Sequence, residues 1–409
     1  MDDRTDGPYA WLRLGIAVTL SAIGGVGFWS VVVALPAVQT EFGVDRSAAS
    51  LPFTVTMIGF ALGGVVLGRL SDRAGLLLPL IGGATALSIG YVAASFATNL
   101  WQFTTVYGLL IGIGCSATFV PLLADVSHWF ERRRGIAVSI CAAGNYIAGT
   151  LWPPAVEHFI STVGWRQTHL YIGIFCAVTM LPLTFLLRRR PPIHTTDGVA
   201  ARAHPKVGTM GLRPGMLQAV LALAGVCCCV AMSMPQVQLV AYCGDLGYGA
   251  EAGAKMLSLM LGLGIISRIG SGFVADRIGG IATLLFGSLA QMTALSLYMM
   301  LDGLTSLYVI SALFGLFQGG LVPSYTIIVR ECFPAKEAGA RVGIVMMATL
   351  FGMALGGWLS GAIFDLTGSY QAAFANGVAW NFANAAIAAW LLMRVSRRTP
   401  LRLAGEVRT

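Results

Sequence analysis

One cationic side chain lies deep inside an apolar segment of this sequence. Arg268 occurs in the run LGLGIISRIGSGFVADR, eight residues before Asp276. At about 1.5 Å per helical residue, it lies roughly 10 Å from the polar end of the segment. An arginine at such depth in a membrane costs about 2.5–3.5 kcal/mol on insertion scales, and intramembrane charges of this kind usually mark substrate sites. Because a guanidinium group offers paired hydrogen bonds that match a carboxylate, we interpret Arg268 as a carboxylate-binding residue.

Three other roles for Arg268 stay open at the sequence level. The side chain could extend to the membrane interface, donate to carbonyl groups at a helix end, or pair with an acid on another segment. Pairing is disfavoured, because the acidic residues lie at other depths. Asp125 and Glu331 fall at the inner ends of apolar segments, and Glu157 and Asp365 fall near the outer ends.

Several polar and aromatic residues at compatible depth are candidates for the walls of the same site. We favour Asn145, Tyr325 and Phe119, and the wider set adds Tyr146, Gln318 and Tyr107. Phe28, Trp29 and Gln236 lie nearer the outer half. Each of these residues could instead serve ordinary helix packing. Among the histidines, His128 is the one candidate proton carrier, with a surface position as the alternative.

An octapeptide next to Arg268 shows how the chain is organised. GRLSDRAG at Gly68–Gly75 recurs 204 residues later as GFVADRIG at Gly272–Gly279, and both read G-x-x-x-D-R-x-G. Val120-Pro121 is echoed by Val322-Pro323, two residues out of step. Self-similarity at half-length in an apolar chain predicts a transporter built from two duplicated bundles. In this frame Arg268 corresponds to Gly64, so the duplicated scaffold does not require the arginine.

The repeated motif predicts a latch between the two halves. Its glycines permit close helix contact, and its aspartates could face the positive N-terminal end of a helix in the opposite half, near Gly339–Arg341 and Gly135. Arg73 is within reach of Asp125. A turn with solvated charges is the alternative reading. The predicted latch residues are Gly68, Asp72, Arg73, Asp125, Gly272, Asp276 and Arg277.

Composition and apolar patterning predict an all-α membrane protein. The chain is 56% hydrophobic and 11% charged, against roughly 25% charged residues in soluble domains. Apolar stretches of about 20 residues predict twelve transmembrane helices in two pseudo-symmetric six-helix bundles. The predicted spans are 12–36, 49–70, 76–97, 101–126, 135–159, 167–188, 214–241, 252–275, 280–300, 305–329, 340–364 and 371–394. We expect bundles at residues 1–190 and 214–409, joined by a linker at 191–213.

The distribution of basic residues predicts the orientation. With the N-terminus inside, 22 of the 26 Arg and Lys residues fall on the cytoplasmic side, and three (Arg46, Arg166 and Lys255) fall outside. The remaining one, Arg268, lies inside a span. The positive-inside rule therefore places both termini in the cytoplasm, in a cell (inner or plasma) membrane. We expect contact with membrane lipid and a monomeric protein.

Other function classes are disfavoured by the same residues. The net charge is +8, but the basic residues lie in the gaps between apolar segments rather than on one face. This distribution argues against binding of nucleic acid. The eight cysteines form no C-x-x-C pair, so we expect packing rather than a disulfide framework or a metal site. An enzyme would need His, Asp and Cys side chains that converge at one depth, and the sequence shows no such set, so we do not expect an enzyme. We expect no cofactor. No cleaved signal peptide is predicted.

With two G-x-x-x-D-R-x-G motifs in a twelve-span frame, the chain resembles the major facilitator superfamily. The R-x-x-x-G spacing from Arg268 to Gly272 resembles the group of monocarboxylate porters and oxalate:formate antiporters. Gly24–Trp29 (GGVGFW) and Glu41–Ser47 (EFGVDRS) are loosely similar to that group. The resemblance implies that Arg268 engages a substrate carboxylate and that Arg73 pairs with Asp125.

The sequence departs from that group at informative positions. Gly264 stands where the animal porters carry an Asp, span 1 has no Lys, and span 11 has only Arg341, at its inner tip. A single buried cation favours one carboxylate over two. We therefore predict a secondary transporter that moves a small organic monocarboxylate, similar to lactate or pyruvate, by alternating access coupled to protons. An exporter of hydrophobic or cationic drugs and an organic-anion exchanger are the alternatives.

Overall fold

Twelve apolar helices of membrane-spanning length are present in the part of the chain that the structure describes. The computed structural model describes residues 6–189 and 208–406, and the regular structure in those residues is helical. The predicted number of spans is confirmed. Spans 1 to 12 are, in order, Pro8–Phe42, Arg46–Ala74, Leu77–Ser95, Leu100–Trp129, Gly135–Val163, Trp165–Leu186, Pro214–Asp245, Gly249–Ile278, Gly280–Met300, Leu304–Cys332, Glu337–Thr367 and Tyr370–Ser396.

Most spans are longer than their apolar cores. Span 2, for example, begins at Arg46 and ends at Ala74, whereas its apolar stretch covers 49–70. A helix satisfies its own backbone hydrogen bonds, so it can continue past the hydrocarbon without an unpaired polar group. Residues 191–207 of the predicted linker lie outside the described residues, and Pro214 begins span 7 at a position compatible with the first turn of a helix.

Two spans are interrupted at related positions in the two halves. Span 4 contains a π-helix at Tyr107–Gly112 and a break at residues 118–119, and span 10 breaks at residues 319–320. Both breaks lie just before the repeated Val-Pro pair, where the proline cannot donate a backbone hydrogen bond. Interrupted helices in corresponding positions are a pointer to the binding region of a transporter.

Glycines in span 10 hold span 8 at close range. A Cβ atom added to Gly319 would lie 2.9 Å from Cβ of Ser267 and 3.0 Å from the backbone nitrogen of Arg268. A Cβ atom at Gly315 would overlap the backbone of Met260. The two helices therefore pack backbone to backbone, which fixes the part of span 8 that carries Arg268.

Two pairs of helices make the largest contacts between the first six and the last six spans. Span 2 packs against span 11, where a Cβ atom at Gly357 would lie 2.7 Å from the ring of Phe53. Span 5 packs against span 8, and the Ser258 hydroxyl donates to the Thr150 carbonyl across this contact. We call the side of the membrane on which span 1 begins the near side, and the opposite side the far side.

Candidate substrate site and gates

Arg268 projects from span 8 toward the first half of the molecule. The side chain is half-buried, and its guanidinium carbon lies 5.4 Å from the centroid of the Tyr146 ring on span 5. Within the described residues, no carboxylate pairs with it. The structure thus brings Arg268 and Tyr146 together and leaves the cation without an ionic partner.

Gly264 provides the space that the Tyr146 ring occupies. A Cβ atom at Gly264 would lie 2.5 Å from Cε1 and 2.8 Å from Cδ1 of that ring. These distances are too short for a real contact, so a side chain at position 264 would displace the tyrosine. The ring therefore lies against span 8, one helical turn from Arg268.

Asn145 and Trp29 contribute unpartnered polar atoms close by. Oδ1 of Asn145 lies 3.1 Å from the point where a Cβ of Gly25 would be, which places it against span 1. Oδ1 of Asn145 and Nε1 of Trp29 are buried and have no hydrogen-bond partner in the described structure. The Trp29 ring also lies against Gly149 of span 5, where Nε1 is 3.0 Å from a Cβ position. Buried polar atoms without partners are expected at sites that a ligand or water completes.

Phe119 lies at the break of span 4 and is part of an aromatic cluster. Its ring centroid is 5.9 Å from that of Phe60, which is in turn 4.8 Å from Phe28 in an edge-to-face arrangement. The three rings come from spans 4, 2 and 1. They form an apolar surface in the middle of the first half.

Gln318 and Tyr325 each have a side-chain partner within the second half, and Nε2 of Gln318 is also buried without a hydrogen-bond partner among the described residues. Gln236 donates from Nε2 to Oε1 of Gln318 at 2.8 Å, and both side chains are buried. The Tyr325 hydroxyl donates to Oδ1 of Asn384 at 2.7 Å and is fully buried. The structure therefore does not bring Tyr325 to Arg268, because its hydroxyl is committed to the contact between spans 10 and 12.

On the far side, Arg46 of span 2 joins the two halves. Its guanidinium Nη2 lies 3.0 Å from Oδ2 of Asp245, and Nη1 donates to the Tyr370 hydroxyl. That hydroxyl donates in turn to Asp245 at 2.6 Å, and the Phe364 ring lies 4.9 Å from the guanidinium carbon. The side chain is 8% exposed. A buried arginine of the first half is thus held by three spans of the second.

Asp365 adds a further contact at the N-terminus of span 2. We call the set of Arg46, Asp245, Tyr370 and Asp365 the far gate. Its two carboxylate oxygens accept from the backbone nitrogens of Arg46 at 2.9 Å and Ser47 at 2.7 Å. Deeper in the membrane, Nε2 of Gln238 donates to the hydroxyls of Ser50 and Ser360 at 3.2 and 3.1 Å. A carboxylate on the positive end of a helix is favourable, so these contacts hold the far side closed.

The predicted latch on the near side is apart in this structure. Asp72, Arg73, Asp276 and Arg277 are exposed, and none of them makes an ion pair with a described residue. A Cβ atom added at Gly339, Gly135 or Gly272 would have no neighbouring atom within 4 Å. One added at Gly68 would contact the Val120 side chain at 3.4 Å. Arg341 pairs with Glu337 of its own helix at 2.8 Å. The aspartates therefore do not face the helix ends that the sequence predicted as their partners.

Asp125 has a different partner from the one predicted. Its oxygens accept from Nε and Nη2 of Arg13 at 2.7 and 2.8 Å, and both residues are buried. The Trp129 ring lies 4.8 Å from the Arg13 guanidinium carbon. The predicted contact between Arg73 and Asp125 is absent, because Arg13 of span 1 takes both oxygens and Arg73 is exposed. The sequence signal for this pair was the position of Arg13 among apolar residues near the start of span 1.

Sequence reasoning also missed a buried hydrogen-bond network in the first half. His169 of span 6 contacts the Tyr107 hydroxyl through Nε2 at 2.5 Å, and its Nδ1 lies 2.6 Å from the Trp165 carbonyl. Ser30 bridges the hydroxyls of Tyr107 and Tyr91 at 3.2 and 2.6 Å. Since a carbonyl only accepts, Nδ1 carries a proton, and Nε2 accepts from Tyr107 when the ring is neutral. His128, the candidate proton carrier, is exposed, in agreement with the alternative that it is a surface residue.

Comparison with known proteins identifies relatives that match most of the chain. The family model of the Major Facilitator Superfamily matches residues 17–307 and 291–407. Monocarboxylate transporter 11 of Mus musculus is 28% identical over 90% of this chain and 84% of its own length. Monocarboxylate transporter 13 of Rattus norvegicus is 27% identical over 80% of this chain and 74% of its own.

A solved structure shares the fold at low sequence identity. A bacterial homolog of the human lysosomal transporter Spinster, in an inward-facing and occupied conformation, superposes with a TM-score of 0.71. It is 14% identical, and the match covers 96% of both chains. This similarity supports the arrangement of the twelve helices.

Proposed function

Because the chain belongs to the major facilitator superfamily and is a membrane transport protein rather than an enzyme, we propose that it carries a small organic monocarboxylate. The observation that carries this proposal is Arg268, a half-buried cation without an ionic partner among the described residues. A carboxylate can take two hydrogen bonds from a guanidinium group. The similarity to proteins named monocarboxylate transporters supports the same class.

The proposed mechanism is alternating access around Arg268. The far gate, formed by Arg46, Asp245, Tyr370 and Asp365, is closed, and the near-side latch is apart. A substrate would therefore reach Arg268 from the near side in this state. When the near side closes, the latch would replace the far gate, and the site would open to the opposite side.

We further propose that the near side is cytoplasmic. Both termini would then lie in the cytoplasm of a cell (inner or plasma) membrane, which agrees with the excess of basic residues on that side. The state described above would then be inward-facing. The protein is proposed to work as a monomer in contact with lipid, since each half of the transport path belongs to the same chain.

The walls of the site distinguish the proposed substrate class from drugs. A cationic drug needs an acid in the cavity, but the buried acid Asp125 is already paired with Arg13. Tyr146 offers an aromatic contact to Arg268, and Asn145 and Phe119 offer an amide and an apolar surface on spans 5 and 4 of the same half. This combination suits an anion with a small organic body.

Proton coupling is proposed from charge balance. The substrate anion neutralises Arg268, and a proton that travels with the anion makes the cycle electroneutral. An exchanger of organic anions is the second form of the same chemistry, since exchange of two monoanions is also electroneutral. Counterflow separates the two: an exchanger moves labelled substrate only when an anion is present on the opposite side.

The experiment that tests this proposal measures binding and uptake together. Purified protein is screened by thermal shift against short carboxylates, aromatic acids and cationic dyes, and cells that express it are assayed for labelled pyruvate and lactate. Arg268→Lys should lower uptake at least tenfold, since an ammonium group cannot form the paired hydrogen bonds. Arg330→Lys is the matched control, because Arg330 is exposed at the end of span 10. Uptake that is unchanged by Arg268→Lys would reject the carboxylate site.

A further inference from the structure

The ring of Tyr146 lies beside the Arg268 guanidinium, whose carbon is 5.4 Å from the ring centroid. We propose that Tyr146 is a positioning residue that holds the Arg268 guanidinium in the unloaded protein and is displaced by the substrate carboxylate. This inference rests on the proposed carboxylate function. It adds a role for a residue of the first half in binding at a cation of the second.

The contact is part of an aligned interface between spans 5 and 8. Tyr146 faces Gly264, and Gly149 faces Leu261, one turn farther along both helices. The next contact is the hydrogen bond from the Ser258 hydroxyl to the Thr150 carbonyl. Of these three contacts, the pair of Tyr146 and Arg268 lies farthest toward the near side.

Gly264 makes the arrangement possible in this chain. The ring carbons Cε1 and Cδ1 of Tyr146 lie 2.5 and 2.8 Å from the position of an added Cβ. Even alanine at position 264 would push the ring away from span 8. The absence of a side chain therefore allows an aromatic ring, rather than a second group on span 8, to contact the guanidinium.

The strengths of the two competing contacts decide which one persists when substrate is present. A cation–π contact at a partly exposed site is worth about two- to fivefold in an equilibrium constant. A two-point hydrogen bond between a guanidinium and a carboxylate is worth about tenfold or more. A carboxylate that approaches from the side of the guanidinium covered by Tyr146 therefore displaces the ring, and it loses about two- to fivefold in affinity by doing so.

Displacement of the ring links binding to movement of the halves. Before binding, the contact joins span 5 of the first half to span 8 of the second. Once a carboxylate holds Arg268, this connection is lost, and the positive charge between the halves is neutralised. An uncharged or cationic molecule has no means of displacing the ring, so the same contact selects for anions.

The test compares carboxylate affinity among three variants of the full chain in detergent. Tyr146→Leu removes the ring, Gly264→Ala displaces it while the tyrosine remains, and Tyr171→Leu is a matched control on the exposed face of span 6, where Tyr171 is 49% exposed. The probe is whichever of pyruvate, L-lactate and benzoate binds the wild-type protein most tightly, and calorimetry gives its Kd. The two ring variants should bind it about two- to fivefold more tightly than the wild type, and the control should not.

Tighter binding separates a positioning role from a structural one, because a variant that merely damages the site would bind less well. Unchanged or weaker binding in both ring variants would overturn the inference. If Arg268→Gln abolishes binding while Tyr146→Leu leaves the Kd unchanged, the carboxylate site stands and this inference alone fails. A wild-type protein that binds none of the three acids overturns the proposed function and the inference with it.

Discussion

Arg13 and Asp125 form a two-point ion pair inside the first half of the molecule. The guanidinium of span 1 donates to both carboxylate oxygens of span 4, at 2.7 and 2.8 Å, and both residues are at most 6% exposed. Bidentate geometry of this kind is the strongest form of the contact. The pair ties the near-side end of span 1 to the interrupted span 4, which also carries Phe119.

Removal of one partner of this pair should destabilise the protein strongly. Arg13→Met leaves Asp125 buried without a counter-ion, and breaking a buried pair in this way costs about 3–5 kcal/mol. The thermal midpoint of the purified protein in detergent should therefore fall by several degrees. The double variant Arg13→Met/Asp125→Leu should recover most of the loss, because no charge is then left unpaired. A double variant no more stable than Arg13→Met would contradict this account.

The far gate should open when Asp365 loses its charge. Asp365→Asn weakens the interaction with the N-terminus of span 2, which we expect to be worth about 1–2 kcal/mol. The population with an open far side should rise roughly five- to thirtyfold. Distances between spin labels on Ser161→Cys and Asp302→Cys report the change, and the native cysteines are buried.

A second acid on the far side serves as the control for the gate. Among the described residues, Glu251 forms an ion pair with Lys255 of its own helix, and its side chain is 67% exposed. Glu251→Gln removes the same charge from a side chain that makes no hydrogen bond or ion pair to the first half among the described residues. If Glu251→Gln lengthened the far-side distances as much as Asp365→Asn, a general charge effect rather than the gate would be responsible.

The near-side latch should close only when the far gate opens. Asp72 and Gly339 are both exposed and apart in this structure. Asp72→Cys/Gly339→Cys should therefore cross-link slowly with a short bifunctional thiol reagent, and several-fold faster when Asp365→Asn is added. The pair Phe96→Cys/Gly339→Cys should not cross-link in either background, because Phe96 follows span 3 on the far side. Equal rates with and without Asp365→Asn would show that the two ends are not coupled.

The sequence predicted the helices and the repeat more fully than the contacts of individual side chains. Apolar length alone fixes the number of spans, since lipid leaves a backbone few alternatives to helix. The depth of Arg268 followed from counting residues. Its contact with Tyr146 did not, because that contact depends on the register of spans 5 and 8, which are more than 100 residues apart in sequence.

Residues that pair inside one bundle were the hardest to predict. Arg13 was counted among the basic residues of the cytoplasmic side, and its pairing with Asp125 needs the packing of span 1 on span 4. His169 gave the signal of a histidine in an apolar span, yet its partners Tyr107 and Ser30 come from two other helices. Such contacts follow from helix packing rather than from local sequence.

Proton coupling predicts a specific dependence of uptake on pH and voltage. If one proton accompanies each monoanion, the transported charge sums to zero, so an inside-negative potential neither drives nor opposes uptake. Proteoliposomes with an acidic exterior should accumulate labelled pyruvate, and a potassium diffusion potential set with valinomycin should leave the initial rate unchanged. Uptake through a uniporter of the anion would instead be slowed by an inside-negative potential. Moving one negative charge inward against that potential costs about 2.3 kcal/mol of free energy per 100 mV. A rate that falls with that potential while the pH difference has no effect would therefore exclude symport with a proton.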